Sequence, residues 1–240
     1  MQIYSKCDIG KMRKSNQDAF FAAEIEHNAV FAIVCDGMGG ANAGNVASET
    51  AVRIISDYIM RSYRLGMDAD ATEKMLKNAI ESANIEIYEM ALKNPELNGM
   101  GTTVVIAISE DDRAVIAHVG DSRAYLVSKK IKQLTRDHSV VQSLVESGKI
   151  SPEDAKVHPR KNVITRALGA EENVIPDITH IEFYENEKLL LCTDGLSSFI
   201  DEQTIIEIMK TKNTTVADEL VDKANENGGG DNITVVILDK

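Results

Sequence analysis

The sequence predicts an α+β fold on three observations. Segments with strand character outnumber those with helical character. The helical segments come in consecutive pairs between groups of strands. Within the central group, turns of only two to four residues join one strand to the next, which implies antiparallel pairing. Regular alternation of strand and helix, the mark of a parallel sheet, is missing.

In chain order, residues 3–9 read as a first strand, residues 10–18 as a polar connection, and Ala19-Phe20-Phe21-Ala22-Ala23 as the start of a second strand. Val30-Phe31-Ala32-Ile33-Val34-Cys35 is a continuous apolar run of strand length, suited to a strand buried on both faces. It leads into Asp36-Gly37-Met38-Gly39-Gly40, where the strand is expected to end in a carboxylate and turn through glycines into a helix. Ala47, Ala51, Ile54, Ile55 and Tyr58 recur at helical spacing and place that helix at about 43–62. A second helix, about 71–93, has capping-box spacing in Asp70-Ala71-Thr72-Glu73 and a stop near Asn94-Pro95. Then come strands at Thr102–Ser109, Ala114–Val119, Ala124–Val127 and Ile131–Leu134, read as an antiparallel meander with Gly120-Asp121-Ser122 as one of its turns.

From Asp137 to Leu168 the pattern changes. Ser139 can cap a short helix ending at Gly148, and Ser151-Pro152-Glu153-Asp154 starts another. The stretch turns basic at His158-Pro159-Arg160-Lys161 and reaches Arg166, and it reads as a helical excursion forming a flap over a site. Leu189 to Thr193 is an apolar strand that ends in Asp194-Gly195. Helices at about 201–210 and 215–227 follow, and Gly228-Gly229-Gly230-Asp231-Asn232 leads into the strand Ile233–Leu238.

No low-complexity linker or repeat divides the chain, so residues 1–240 are expected to form a single domain. The net charge, 26 − 38 = −12, argues against a nucleic-acid or anionic-membrane binder and fits a protein that gathers carboxylates around divalent cations. Three cysteines without CxxC spacing indicate a reducing compartment. With no signal pattern and no apolar run of about 18 residues, the expectation is a cytoplasmic protein, with neither nucleic acid nor membrane as partner, and a monomer.

Asp18, Asp36, Asp121, Asp194 and Asp231 all fall at a strand edge or in a glycine turn. Carboxylates and backbone carbonyls are the preferred ligands of Mg²⁺ and Mn²⁺. Two such ions about 3.5–4 Å apart lower the pKa of a shared water and position it for in-line attack on phosphorus. Arg13, five residues before Asp18, is a natural bidentate partner for a phosphate dianion.

These residues carry a family resemblance. Arg13-Lys14-Ser15-Asn16-Gln17-Asp18, Asp36 to Gly40, Gly101-Thr102-Thr103, His118-Val119-Gly120-Asp121-Ser122-Arg123-Ala124-Tyr125, Cys192-Thr193-Asp194-Gly195-Leu196 and Gly230-Asp231-Asn232-Ile233-Thr234 stand in family order. Together they resemble the metal-dependent protein phosphatases, the type 2C serine/threonine phosphatases, in their short bacterial form, over nearly the whole chain. The resemblance implies a four-layer α-β-β-α sandwich, two antiparallel sheets flanked by helix pairs, with a binuclear Mn²⁺ or Mg²⁺ site in a cleft at one end. It implies hydrolysis of phosphoserine and phosphothreonine in proteins by a hydroxide bridging the two metals, in opposition to a cognate serine/threonine kinase.

By the same resemblance Asp36 bridges the metals, the Gly37 carbonyl binds the second, and Asp194 and Asp231 complete the first, so that Asp36, Asp194 and Asp231 carry catalysis. Asp121 would hold a third, weaker metal, Asp18 would act through metal-bound water, Arg13 would take the phosphate, and residues 139–165 would be the flap. Two positions depart from the family pattern. Gln17 replaces the usual acid before Asp18, which removes charge near the second metal. Met38 stands where many eukaryotic members carry histidine, and since a thioether gives no proton, a water on a metal is expected to protonate the leaving oxygen.

Two alternatives compete. Cys7 and Arg13 have the C-x₅-R spacing of a cysteine-dependent phosphatase, but Asp8 opens the intervening loop and would raise the thiol pKa. A catalytically silent docking module predicts erosion of the core aspartates, and Asp36, Asp194 and Asp231 are all present.

Overall fold

The computed structural model describes residues 1–26, 29–40, 43–211 and 214–240. Its strands are β1 (Gln2–Asp8), β2 (Asp18–Glu26), β3 (Ala29–Met38), β4 (Gly101–Thr102), β5 (Val104–Glu110), β6 (Arg113–Val119), β7 (Arg123–Val127), β8 (Ile131–Gln133), β9 (Asp177–Glu182), β10 (Lys188–Cys192) and β11 (Ile233–Asp239). The helices are α1 (Ala43–Ser62), α2 (Ala69–Lys93), α3 (Val140–Glu146), α4 (Pro152–Val157), α5 (Asp194–Ser197), α6 (Glu202–Met209) and α7 (Val216–Glu226).

Two antiparallel sheets face each other. One has the order β1-β11-β10-β7-β8 and the other β2-β3-β5-β6-β9, with β4 attached to β3. Alternation along the strands divides the apolar side chains among three cores. In β3, Val30, Ala32 and Val34 point between the sheets, where they meet Val105, Ile116, Leu189, Leu191 and Val236. The intervening Phe31, Ile33 and Cys35 point the other way and pack against Ile55, Leu76 and Ile80 of α1 and α2. On the far side, Leu190, Cys192, Val235 and Ile237 bury the apolar faces of α6 and α7. The layers therefore run α-β-β-α, and β3 is apolar on both faces because both faces are covered. Among the described residues, no helix is long and apolar enough to cross a membrane.

The structure departs from sequence expectation in four places. First, β3 does not end at Asp36. It continues through Asp36 and Gly37 to Met38, because β4 pairs with it (Gly37 opposite Thr102, Met38 opposite Gly101). Gly37 is needed for close approach, since a Cβ there would lie 2.0 Å from the Gly44 carbonyl oxygen at the start of α1. Second, the cap of α2 is Asp68 rather than Asp70. Its side chain accepts the Ala71 amide, and Asp70 falls within the first turn. Third, the strands after Thr102 do not form one meander. β5 and β6 pair in one sheet, whereas β7 and β8 belong to the other, so the Gly120–Ser122 turn carries the chain between sheets. Gly120 has φ +108° there, and a Cβ would meet the Thr103 side chain at 2.6 Å. Fourth, β9 and the short helix α5 are additional elements. The two short helices expected between Asp137 and Leu168 are present as α3 and α4, with Ser139 and Ser151 as their caps.

Candidate active site

Antiparallel pairing puts the start of one strand beside the end of its neighbour, and five aspartates use this to meet at one end of the sandwich. Asp18 opens β2 directly opposite Asp36 near the end of β3. Asp121 lies in the turn between sheets, Asp194 follows the end of β10, and Asp231 precedes the start of β11. A cleft of about 250 Å³ is lined by Arg13, Asp36, Gly37, Asp121, Asp194 and Asp231, together with Met38 and with Asn162 and Ile164 from the 139–165 stretch. Asp18 lies behind this lining rather than in it.

Hydrogen bonds to the backbone of the aspartate-bearing segments, several of them from hydroxyl and amide side chains, fix their positions. The Asp36 amide donates to the Thr103 hydroxyl at 2.9 Å, and the Thr103 amide donates back to the Asp36 carbonyl at 2.8 Å. Thr102 donates its hydroxyl to the same carbonyl at 2.9 Å, and the Thr103 and Ser122 hydroxyls are 2.7 Å apart. The Arg13–Asp18 segment is held by Asn232. Its side-chain oxygen accepts the Gln17 amide at 2.9 Å, while its NH₂ donates to the carbonyls of Ile9 and Ser15 at 2.9 and 3.0 Å. Gln17 contributes its carbonyl, which accepts the Gly37 amide at 3.0 Å and the Ser48 hydroxyl at 2.6 Å.

The electrostatics explain why such a cluster requires cations. Burial, then repulsion from Asp18 and Asp194, holds the Asp36 carboxyl well above the usual range. Burial, then Asp231, raises Asp194. Burial pushes Asp18 up to about 7 against the lowering effect of two hydroxyl donors, and burial together with Asp194 pushes Asp121 to about 7. Asp18 Oδ1 and Asp194 Oδ1 are buried with no hydrogen-bond partner. Arg13 is the cation of the cleft lining, and its guanidinium bonds one Asp231 oxygen at 2.7 Å. Arg123, whose charge also acts on Asp194, is committed to a bidentate pair with Asp137. Buried carboxylates with free oxygens, a glycine carbonyl and excess negative charge fit hard divalent cations.

The geometry gives Cys7 a different environment from a phosphate-loop nucleophile. Its Sγ accepts the Asn16 side-chain NH₂ at 3.0 Å and lies 3.1 Å from the Thr234 hydroxyl. Burial pushes its thiol up, and Arg13 is turned to Asp231 instead.

A second buried polar cluster lies across the Gly120 turn. The His118 and His138 rings stack with centroids 4.7 Å apart and planes 19° from parallel. His118 Nε2 meets the Arg136 carbonyl at 2.8 Å, so this nitrogen carries the proton, and Nδ1 has no partner. His138 Nδ1 accepts the Gly120 amide at 3.1 Å, which puts that ring's proton on Nε2, 3.3 Å from Asp177. Arg166 neutralises Asp177 at 2.7 Å.

Sequence reading missed Thr103, Asn162, Ile164, Thr193, Asn232 and Thr234. Thr103, Thr193, Asn232 and Thr234 stood inside the quoted motifs, so a signal was present, but no short-range rule assigned those side chains a partner.

Comparison with known proteins accords with this site. A profile of the family "Protein phosphatase 2C" matches residues 11–224. The serine/threonine phosphatase stp of Listeria monocytogenes is 44% identical over 243 residues, covering 100% of this chain and 96% of that protein. The crystal structure of serine/threonine phosphatase Stp1 from Staphylococcus aureus superposes with a TM-score of 0.91 at 35% identity, covering 98% of this chain and 93% of that one. The catalytic domain of serine threonine protein phosphatase PstP, in complex with two manganese ions, superposes with a TM-score of 0.86 at 32% identity, covering 98% and 96% of the two chains.

Proposed function

We propose, for a chain that belongs to the protein phosphatase 2C family, that the aspartate cleft is the centre through which it acts. The protein is a metal-dependent protein serine/threonine phosphatase that uses two Mn²⁺ or Mg²⁺ ions. The observation that supports this site is the meeting of five aspartates, two with buried unpartnered oxygens, beside Arg13.

The ions, when bound, supply charge that outweighs the carboxylates and lowers the pKa of water to make a nucleophile available at neutral pH. Asp36 would stand between two ions, Asp194 and Asp231 would complete one, and the Gly37 carbonyl would serve the other. Asp18 would act from behind the cleft, and Asp121 would hold a third, weaker ion. Arg13 swings from Asp231 to the substrate phosphate, where its fork binds two oxygens and orients phosphorus for in-line displacement. Met38 faces the cleft without a proton to give, so the leaving serine or threonine oxygen draws its proton from water.

Residues 1–240 act as a single phosphatase domain in which 139–165 forms the flap, a reading supported by Asn162 and Ile164 in the cleft wall. A cognate serine/threonine kinase and a cytoplasmic location complete the proposal. Unchanged phosphothreonine levels after loss of the gene would count against the kinase assignment.

The test is hydrolysis of a phosphothreonine peptide by metal-stripped protein, before and after adding Mn²⁺ or Mg²⁺. Activity should appear only with metal and vanish in Asp36→Asn. Activity that persists through chelation would overturn the proposal.

A further inference from the structure

Asp18 is the one aspartate of the cluster whose carboxylate is held by side chains of the opposite sheet. Its Oδ2 accepts two hydroxyls, from Thr234 at 2.7 Å and from Thr193 at 2.9 Å. Asp18 belongs to β2, whereas Thr193 follows β10 and Thr234 lies in β11. The two threonines face each other across the β10–β11 ladder. The Thr193 amide donates to the Thr234 carbonyl at 3.1 Å, and the Thr234 amide donates to the Thr193 hydroxyl oxygen at 3.0 Å. Both threonines are fully buried.

Donor and acceptor limits settle where the protons point. The Thr193 oxygen already accepts an amide, so its own hydrogen is free for the carboxylate. The Thr234 hydroxyl has two acceptors in reach, Asp18 Oδ2 and Cys7 Sγ, but only one hydrogen. A carboxylate oxygen at 2.7 Å is much the stronger acceptor, so the hydrogen goes to Asp18. The Cys7 thiol, kept protonated by burial, then donates to the Thr234 oxygen while its sulfur accepts from Asn16. Every member of this chain is fixed in direction. The Asp18 carboxylate is therefore fixed in rotation, and its other oxygen, Oδ1, is left buried without a partner.

We infer that Thr193 and Thr234 are positioning residues for the metal centre. Two donated hydroxyls lock Oδ2 and present Oδ1 of Asp18 to the shell of a bound divalent cation. This rests on the aspartate cleft being the metal site. A purely structural role for the same hydrogen bonds, pinning β2 to the other sheet, would alter stability and leave metal affinity alone. Outer-shell partners of this kind typically govern metal affinity by about 10–100-fold.

The experiment measures Mn²⁺ binding to metal-stripped protein by the electron paramagnetic resonance signal of free Mn²⁺, which needs no catalysis. Wild type is compared with Thr193→Val and Thr234→Val, which keep shape and lose the hydroxyl, and with Thr193→Ser and Thr234→Ser, which keep the hydroxyl. The valine variants should bind one Mn²⁺ about 10–100-fold more weakly, and the serine variants should bind as wild type. Wild-type binding in a folded valine variant would overturn the inference. Weakening in the serine variants equal to that in valine would do so too, since the hydroxyl would not be responsible. If Thr234→Val does not fold, the Thr193 pair decides alone. Wild-type protein that takes up no Mn²⁺ would overturn the metal-site reading itself, a result separate from any effect of the threonines.

Discussion

The aspartate cleft and the His118–His138–Asp177 cluster sit on opposite sides of the Gly120 turn, and both hold buried titratable side chains of metal-ligating types. They differ in how their charge is balanced. In the cleft, Asp18 and Asp194 each keep a buried oxygen without a donor, and burial with mutual repulsion raises four carboxyls at once. In the histidine cluster, Arg166 balances Asp177, one backbone group dictates the tautomer of each ring, and His118 Nδ1 stays without a partner. One ligand atom from each of His118, His138 and Asp177 lies within 4.8 Å of the others, but the nitrogen of His138 nearest Asp177 carries a proton. The cleft is the proposed metal site because its negative charge is uncompensated, whereas the charge of Asp177 is already balanced by Arg166.

The sharpest break of this comparison is Asp36→Asn. It removes the central charge of the cleft and should reduce metal-dependent phosphatase activity by more than about 100-fold, beyond what outer-shell changes produce. The measurement is turnover of a phosphothreonine peptide at saturating Mn²⁺.

The second distinction is the sign of the pH dependence. Asp18 and Asp121 titrate near 7 in the folded protein against an ordinary carboxyl value of 3.8, so the folded state holds extra protons between those limits. Their stabilising contribution is complete below about pH 4 and is lost as pH rises through about 7. Metal-stripped protein should thus melt at a lower temperature at pH 8 than at pH 5, by at least about 2–4 °C, the shift that corresponds to about 1 kcal/mol at this size. Added Mn²⁺ should abolish that slope. The histidines act in the opposite sense. Burial lowers both, so their contribution is present above the ordinary value of 6.5 and lost as pH falls.

The smallest expected effect is that of His138→Ala. It strips the Gly120 amide of its buried acceptor and should cost about 1–3 kcal/mol of stability. It should also steepen the downward slope of the metal-stripped protein between pH 5 and pH 8. Thermal unfolding with and without Mn²⁺ separates this from any change at the metals. A metal-affinity loss larger than the stability loss would mean that the two clusters are one site.

The cleft was more legible than the fold around it. Asp36, Asp121, Asp194 and Asp231 each stand beside a glycine at the edge of an apolar run, a signal contained within a few residues. The hydrogen bonds that support them join residues such as Asp18 and Thr234 across 216 positions, and no local pattern encodes such a pair. The sheet switch at Gly120 was unreadable for a related reason. A three-residue glycine turn suits a hairpin as well as a crossing between layers, and only the packing of β7 on β10 decides between them. β9 was obscured by its position at a sheet edge, where Asp177 to Glu182 are only partly buried and offer no apolar run. The cap of α2 went to Asp68 because Asp68 and Asp70 both precede helical residues, and sequence spacing favours the one followed by Thr72-Glu73.

The position of β11 also has a consequence for biosynthesis. The last strand of the described residues, β11, lies between β1 and β10, inside its sheet rather than at the rim. Until Ile233 to Asp239 are available, the opening strand has no neighbour, and Thr193 lacks the partner with which it grips Asp18. A nascent chain can assemble β2 through β6 on the first two helices early, since those contacts are internal to its first half. The proposed centre therefore closes only once Asp231 and β11 are in place, so a chain that stops short of Ile233 lacks it.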